Sequence, residues 1–168
     1  MNDASTLPWR ADVIQDFARS ELFERTFQEG MELVEETAGY LDGAGRQESK
    51  ALSRNAALAY ASESMRLTTR LMQVASWLLV QRAVREGDME PAAACEDRYR
   101  LAAEEVCRPG EPPAEDLPTG LLGLLDRSER LYERVRHLDR RMYVEVEAAG
   151  PHPVLSQLDR LKTALGGF

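Results

Sequence analysis

Two cysteines, two histidines and many carboxylates and arginines are the side chains of this chain with reactive or ligating chemistry. Cys95 and Cys107 stand twelve residues apart with no other His or Cys nearby. A zinc site or a disulfide framework needs more ligands at closer spacing, so reduced thiols are expected. His137 sits among Arg134, Arg136, Arg140 and Arg141, a setting for a surface residue rather than a general base, and His152 lies in the stretch "PHP". The pairs Glu35–Glu36, Glu104–Glu105 and Glu145/Glu147 match solvated helix faces, and no glycine-rich turn joins a strand to a helix to cradle phosphate. Arg127, Arg130, Arg134 and Arg141 form a stripe that could hold phosphate or an acidic peptide, but Asp126, Glu129 and Glu133 intersperse it. The residues therefore predict a chain that is not an enzyme, with no catalytic residue, no metal and no cofactor.

Helices must position whatever these side chains do. Phe23, Phe27, Met31, Val34, Ala38 and Leu41 recur at steps of three and four, an amphipathic helix stopped by Gly43 and Gly45. Gly30, inside it, predicts close approach to a neighbouring helix. After a polar loop to Leu52, a helix from Arg54 to Glu86 is expected, ~50 Å long and ended by Gly87. Its apolar sector (Leu58, Tyr60, Met65, Leu67, Leu71, Met72, Val74, Leu78, Leu79) spans about 200° on a helical wheel, which suits a helix buried between two neighbours. Pro91 opens a short helix to Cys107, whose Cys95, Tyr99, Ala102 and Val106 would fold back over Trp77, Val80 and Val84. "RPGEPPAEDLP" is an extended loop, and Thr119 caps a last long helix to Glu147 with Leu121, Leu125, Ser128, Leu131, Val135, Leu138 and Met142 as its stripe.

The expected fold is all-α: a three-helix bundle of long antiparallel helices with a short fold-back helix and a flexible C-terminal tail. Residues 1–19 form an N-terminal arm, 20–149 the bundle, and 150–168 the tail. A net charge of −8 argues against nucleic acid as partner. The longest apolar runs fall far short of the ~20 residues of a membrane span, and the start shows no secretory h-region. A cytoplasmic protein is expected.

Two features suggest protein partners. Glu63, Arg66, Arg70 and Gln73 form a polar ridge on the long central helix, readable as a solvated face or as a docking ridge for an acidic partner. The tail carries Leu158, Leu161, Leu165 and Phe168 beyond Gly150, Pro151 and Pro153, as a detachable helix-in-groove motif would. Ser64, Thr68 and Arg82 are the only polar groups of the central helix that could line a ligand pocket inside the bundle.

The blocks "FARSELFERTFQEGMELVEETAGYLDGAGR" and "LAYASESMRLTTRLMQVASWLLVQRAVREGDM", with "LPTGLLGLL", resemble the alphaproteobacterial family of the regulator of CtrA degradation over Phe17 to Met142. The resemblance implies a self-associating three-helix bundle, expected as a homodimer. It also implies an adaptor of the ClpXP protease in cell-cycle control. Such an adaptor would contact the ClpX unfoldase with a response-regulator-type primer, and bring protein substrates directly or through a cyclic-di-GMP-binding adaptor. The alternative is a helical interaction module of another signalling or stress pathway that binds a response regulator.

Overall fold

The computed structural model describes residues 7–112 and 116–143. The tail positions Leu158, Leu161, Leu165 and Phe168 lie outside the described residues, as does the end of the last expected helix. Within them run α1 (Leu7–Ala18), α2 (Glu21–Asp42), α3 (Ala44–Lys50), α4 (Arg54–Glu86), α5 (Pro91–Ala94), a single 3-10 turn (Asp97–Tyr99), α6 (Glu104–Cys107) and α7 (Thr119–Tyr143), with no strand among the described residues.

The ends of the long helices are set by local chemistry. Ser20 Oγ accepts from the Phe23 N–H and Ser53 Oγ from the Ala56 N–H, so each satisfies an orphan donor of the first turn. Gly87, at φ 82°, ends α4 in the left-handed region while its N–H bonds back to the last turn. Thr119 is the first residue of α7 rather than its cap. The ring of Tyr40 reaches this end instead, so close to Gly120 that a Cβ there would lie 2.6 Å from it.

The all-α bundle is formed by α2, α4 and α7, with α4 at its centre. The three were expected antiparallel throughout. Contacts at Gly30–Leu78 and Glu24–Arg85 set α2 antiparallel to α4, and Glu36–Arg127 and Glu29–Arg134 set it antiparallel to α7. Arg70–Ser128 and Trp77–Asp139 show that α4 and α7 run parallel. A strap makes this possible by carrying the chain back along α4 before α7 begins. Ala102 meets Gln73, Cys107 meets Arg70, and Gly110 meets Arg66.

The strap differs from the single fold-back helix that its periodicity predicts. It is three separate turns, with Ala103 at φ 54°, and Ala102 and Val106 face solvent. Buried polar groups on α4 and α7 hold its main chain, and those hydrogen bonds compete with a continuous helical ladder. Trp77 is covered by the arm, which forms α1. Phe17 packs 5.7 Å from the Trp77 ring, and Ile14 and Ala18 are fully buried.

Both α2 and α4 are turned away from the orientation their apolar stripes predict. The core face of α2 is Phe23, Thr26, Gly30, Leu33 and Thr37, while Phe27, Met31, Val34 and Leu41 are only half-buried. On α4, Arg70 and Gln81 are fully buried, whereas Leu58, Met65, Met72 and Leu79 are 65%, 72%, 63% and 51% exposed. Gly30 does mark a close approach, since a Cβ there would lie 2.8 Å from Leu78 Cδ1.

Two glycines of the α2–α3 region separate propensity from packing. A Cβ on Gly39 would meet nothing within 4 Å, so Gly39→Ala should gain ~0.5–1 kcal/mol and raise Tm by about 1–4 °C. At Gly45 a Cβ would meet Tyr60 Oη at 2.6 Å and the Tyr40 carbonyl at 2.8 Å. Gly45→Ala should therefore cost about 1–3 kcal/mol. Thermal melts of the two variants should shift in opposite directions.

Candidate docking ridge and open apolar seam

The four ridge residues do lie together, but their partner in this structure is the chain's own strap. Arg70 is fully buried rather than exposed, a correction to its place on a solvent-facing ridge. Its Nε donates to the Cys107 carbonyl at 2.7 Å and its Nη1 to Ser128 Oγ at 2.8 Å. Its Nη2 stands 3.6 Å from Glu129 Oε1 and makes no hydrogen bond. Burial pushes the Arg70 pKa down, opposed by the Glu129 carboxylate, and pushes the Glu129 pKa up, opposed by Arg70. Gln73 is half-buried, its Oε1 accepting from the Ala102 N–H at 3.1 Å. Glu63 and Arg66 pair at 3.8 Å with side chains 14% and 34% exposed. Gly110 packs against both, so a Cβ there would sit 3.3 Å from the Arg66 guanidinium carbon.

A second polar cluster fixes the upper part of the strap. Asp139, buried on α7, accepts from Trp77 Nε1 at 3.0 Å and from Arg100 Nη2 at 3.1 Å. Glu104 lies 3.3 Å from Arg136 and 3.7 Å from Arg140. Tyr143 donates to the Ala94 carbonyl at 2.7 Å. Cys95 and Cys107 are buried in the same region as free thiols, both with pKa pushed up chiefly by burial. Such thiols are poor nucleophiles. No group of three or more metal-ligating side chains occurs among the described residues, and no helix there is long and apolar enough to cross a membrane.

The face that sequence reasoning missed lies between α2 and α4. Leu58, Met65, Met72 and Leu79 repeat every seven residues along the outside of α4. Beside them runs an apolar groove of about 250 Å³, floored by Leu71 and Ala75 and walled by Val34, Ala38, Leu41 and Met72. The heptad spacing was visible in the sequence, but the width of the apolar sector concealed which part faces inward. The third seam, between α2 and α7, is charged. Arg127–Glu36 at 2.6 Å and Arg134–Glu29 at 2.5 Å tie the two helices. Of the arginine stripe of α7, Arg130 pairs with the interspersed Asp126, while Arg127 and Arg134 pair with acids of α2.

The family model described as a protein of unknown function (DUF1465) matches residues 14–165. The chain is similar to the crystal structure of RcdA from Caulobacter crescentus CB15, at 73% sequence identity and a TM-score of 0.65, covering 77% of this chain and 98% of that one. No curated protein matches.

Two outcomes are expected from the buried polar groups. Arg70→Ala strands Ser128, Glu129 and the Cys107 carbonyl and should cost about 3–5 kcal/mol, whereas Arg70→Met, which fills the space without a charge, should cost less. Arg66→Ala should stay within about 1 kcal/mol, all three being read by denaturant unfolding. At alkaline pH, burial holds the phenols of Tyr40, Tyr60 and Tyr143 above their ordinary value and pushes Tyr132 up to about 12. Between pH ~10 and ~12 the unfolded chain then binds fewer protons than the native one, so stability falls as pH rises. Tyrosinate absorbance and helicity should change together in that window.

Proposed function

This chain belongs to the DUF1465 family and to the family of RcdA, the regulator of CtrA degradation, and from that premise we propose that it is a non-enzymatic protease adaptor. In this reading a homodimer of the bundle links protein substrates to ClpXP in cell-cycle-regulated proteolysis. ClpX with a response-regulator-type primer is one partner, and a cyclic-di-GMP-binding adaptor is a further route for substrates. The site of action is the cytoplasm.

The observation that carries the reading is the exposed seam of α4. A chain that turns Met65 and Met72 to solvent while burying Arg70 and Gln81 has reserved an apolar face for another protein. The rotation of α2 and α4 described above brings their apolar stripes to that same open groove. Leu58, Met65, Met72 and Leu79 are symmetric about the Thr68–Thr69 peptide, so a second copy related by a two-fold axis would place Leu58 against Leu79 and Met65 against Met72. Rigid helices of this kind support bringing two proteins together without chemistry of their own.

A Met65→Lys/Met72→Lys variant should keep its helicity while its self-association weakens by at least about 100-fold, equivalent to ~3 kcal/mol of lost apolar contact. Sedimentation velocity reads this directly. In a reconstituted assay, the purified chain should accelerate breakdown of a substrate by ClpXP only when the primer is present. Binding to a response regulator without any effect on proteolysis would instead favour an interaction module of another pathway.

A further inference from the structure

We propose that the chain's own C-terminal segment, Val154 to Phe168, docks in cis along the open α2–α4 seam and competes there with a second copy. The docking stands apart from the adaptor reading. Only the competition rests on the seam also being a self-association face.

The segment starts from the right end of the bundle. α7 ends at Tyr143, and the Trp77–Asp139 hydrogen bond sets that end beside the last turns of α4, near Leu79. A chain continuing from there enters the seam at its Leu79 end and runs toward Met65, along α2 and against α4. Residues 144–153 span up to ~33 Å when extended, enough to round a bundle whose helices lie ~8–10 Å apart. Gly150, Pro151 and Pro153 favour a break in any helix before Val154.

Length and pattern also match. Val154, Leu158, Leu161 and Leu165 recur at steps of four, three and four, the apolar face of a helix. That face is ~17 Å long, against ~21 Å of α4 from Met65 to Leu79. The other exposed large apolar side chains among the described residues, Leu22, Val106 and Leu122, belong to other elements. The seam is thus the continuous apolar face among the described residues on which such a helix can lie. The family match runs through residue 165, so it takes in these leucines rather than stopping with α7.

Charge complements shape. Glu35 and Asp42 stand four residues beyond Met31 and Ala38, exposed on the edge of α2 away from α7, and neither has an ion pair among the described residues. The α4 edge between Met65 and Leu79 offers Thr69 and Ser76 and no charge. In the segment Arg160 and Lys162 outnumber Asp159, and Lys162 adjoins the apolar face. With Leu155 at the Phe27 end, Lys162 reaches the level of Glu35. A tethered segment is present at an effective concentration of roughly millimolar, so a dilute second copy has to displace it.

The test uses the full chain with the photo-crosslinker benzoylphenylalanine in place of Leu161. Irradiation should join position 161 to the 31–41 or 65–79 stretch of the same chain, giving a product of single-chain mass on a denaturing gel. Adding Leu158→Asp and Leu165→Asp should abolish that product while helicity of the bundle is kept. Crosslinks elsewhere on the bundle, only between chains, or none at all would overturn the docking. In sedimentation velocity, Leu158→Asp/Leu165→Asp in the otherwise unmodified chain should tighten self-association at least about 10-fold, because the seam is freed. Self-association of unchanged strength would overturn the competition. A chain that stays monomeric with and without these changes would sink the homodimer reading, and the crosslinks would still decide where the segment docks.

Discussion

A guanidinium sealed from water has to find acceptors inside the protein, and Arg70 finds them on two separate pieces of chain. Ser128 fixes the height of α7 beside α4, and the Cys107 carbonyl fixes where the strap crosses. The bonds reach 37 and 58 residues along the sequence from Arg70, so a local rearrangement cannot satisfy them. The parallel course of α4 and α7, the broken strap and the inward turn of a polar face all follow from that demand. A hydrophobic residue at the same position would permit several registers of α7; a buried charge with fixed acceptors permits few.

Each of the three seams of the bundle is closed by a different kind of interaction. Between α4 and α7 it is the strap, latched by buried polar groups. Between α2 and α7 it is a pair of surface ion pairs, which add little stability individually but orient the helices. Between α2 and α4 mainly apolar side chains meet, and they remain half open. The unequal treatment explains how one small bundle presents a sticky face without burying it in its own core. Apolar residues that a monomer would put inside are placed at the α2–α4 seam, and polar residues such as Arg70 take their place in the interior, where Arg70 is matched to Ser128 and the Cys107 carbonyl.

The long helices were legible because their signals agree. Three- and four-residue periodicity, ended by Gly43 in α2 and by Gly87 in α4, points to the observed boundaries, and the buried stripe of α7 from Leu121 to Met142 is nearly the predicted one. The inward faces of α2 and α4 were not legible. An apolar sector of some 200° is wider than any single contact needs, and nothing local says which half is inside. The spacing of Arg70 and Gln73 puts them on one side of a helix, but that side is turned inward at Arg70 rather than to solvent. That their occupant is the chain's own Ala102–Gly110 segment depends on contacts across the fold, which periodicity does not encode. The same holds for α1, where burial of Ile14 and Ala18 requires the end of α4 to be in place.

The buried thiols have a practical side. Cys95 and Cys107 are enclosed and held in the protonated form by their surroundings, so neither competes for alkylating reagents while the bundle is folded. A single cysteine introduced on the solvent side of α4 would then be the one thiol a probe finds. Distances between labels on two copies, or between a label and a bound protein, become measurable without first stripping the native sulfurs from the core. The two native thiols would react only after the bundle opens, which makes their labelling a clock for its unfolding.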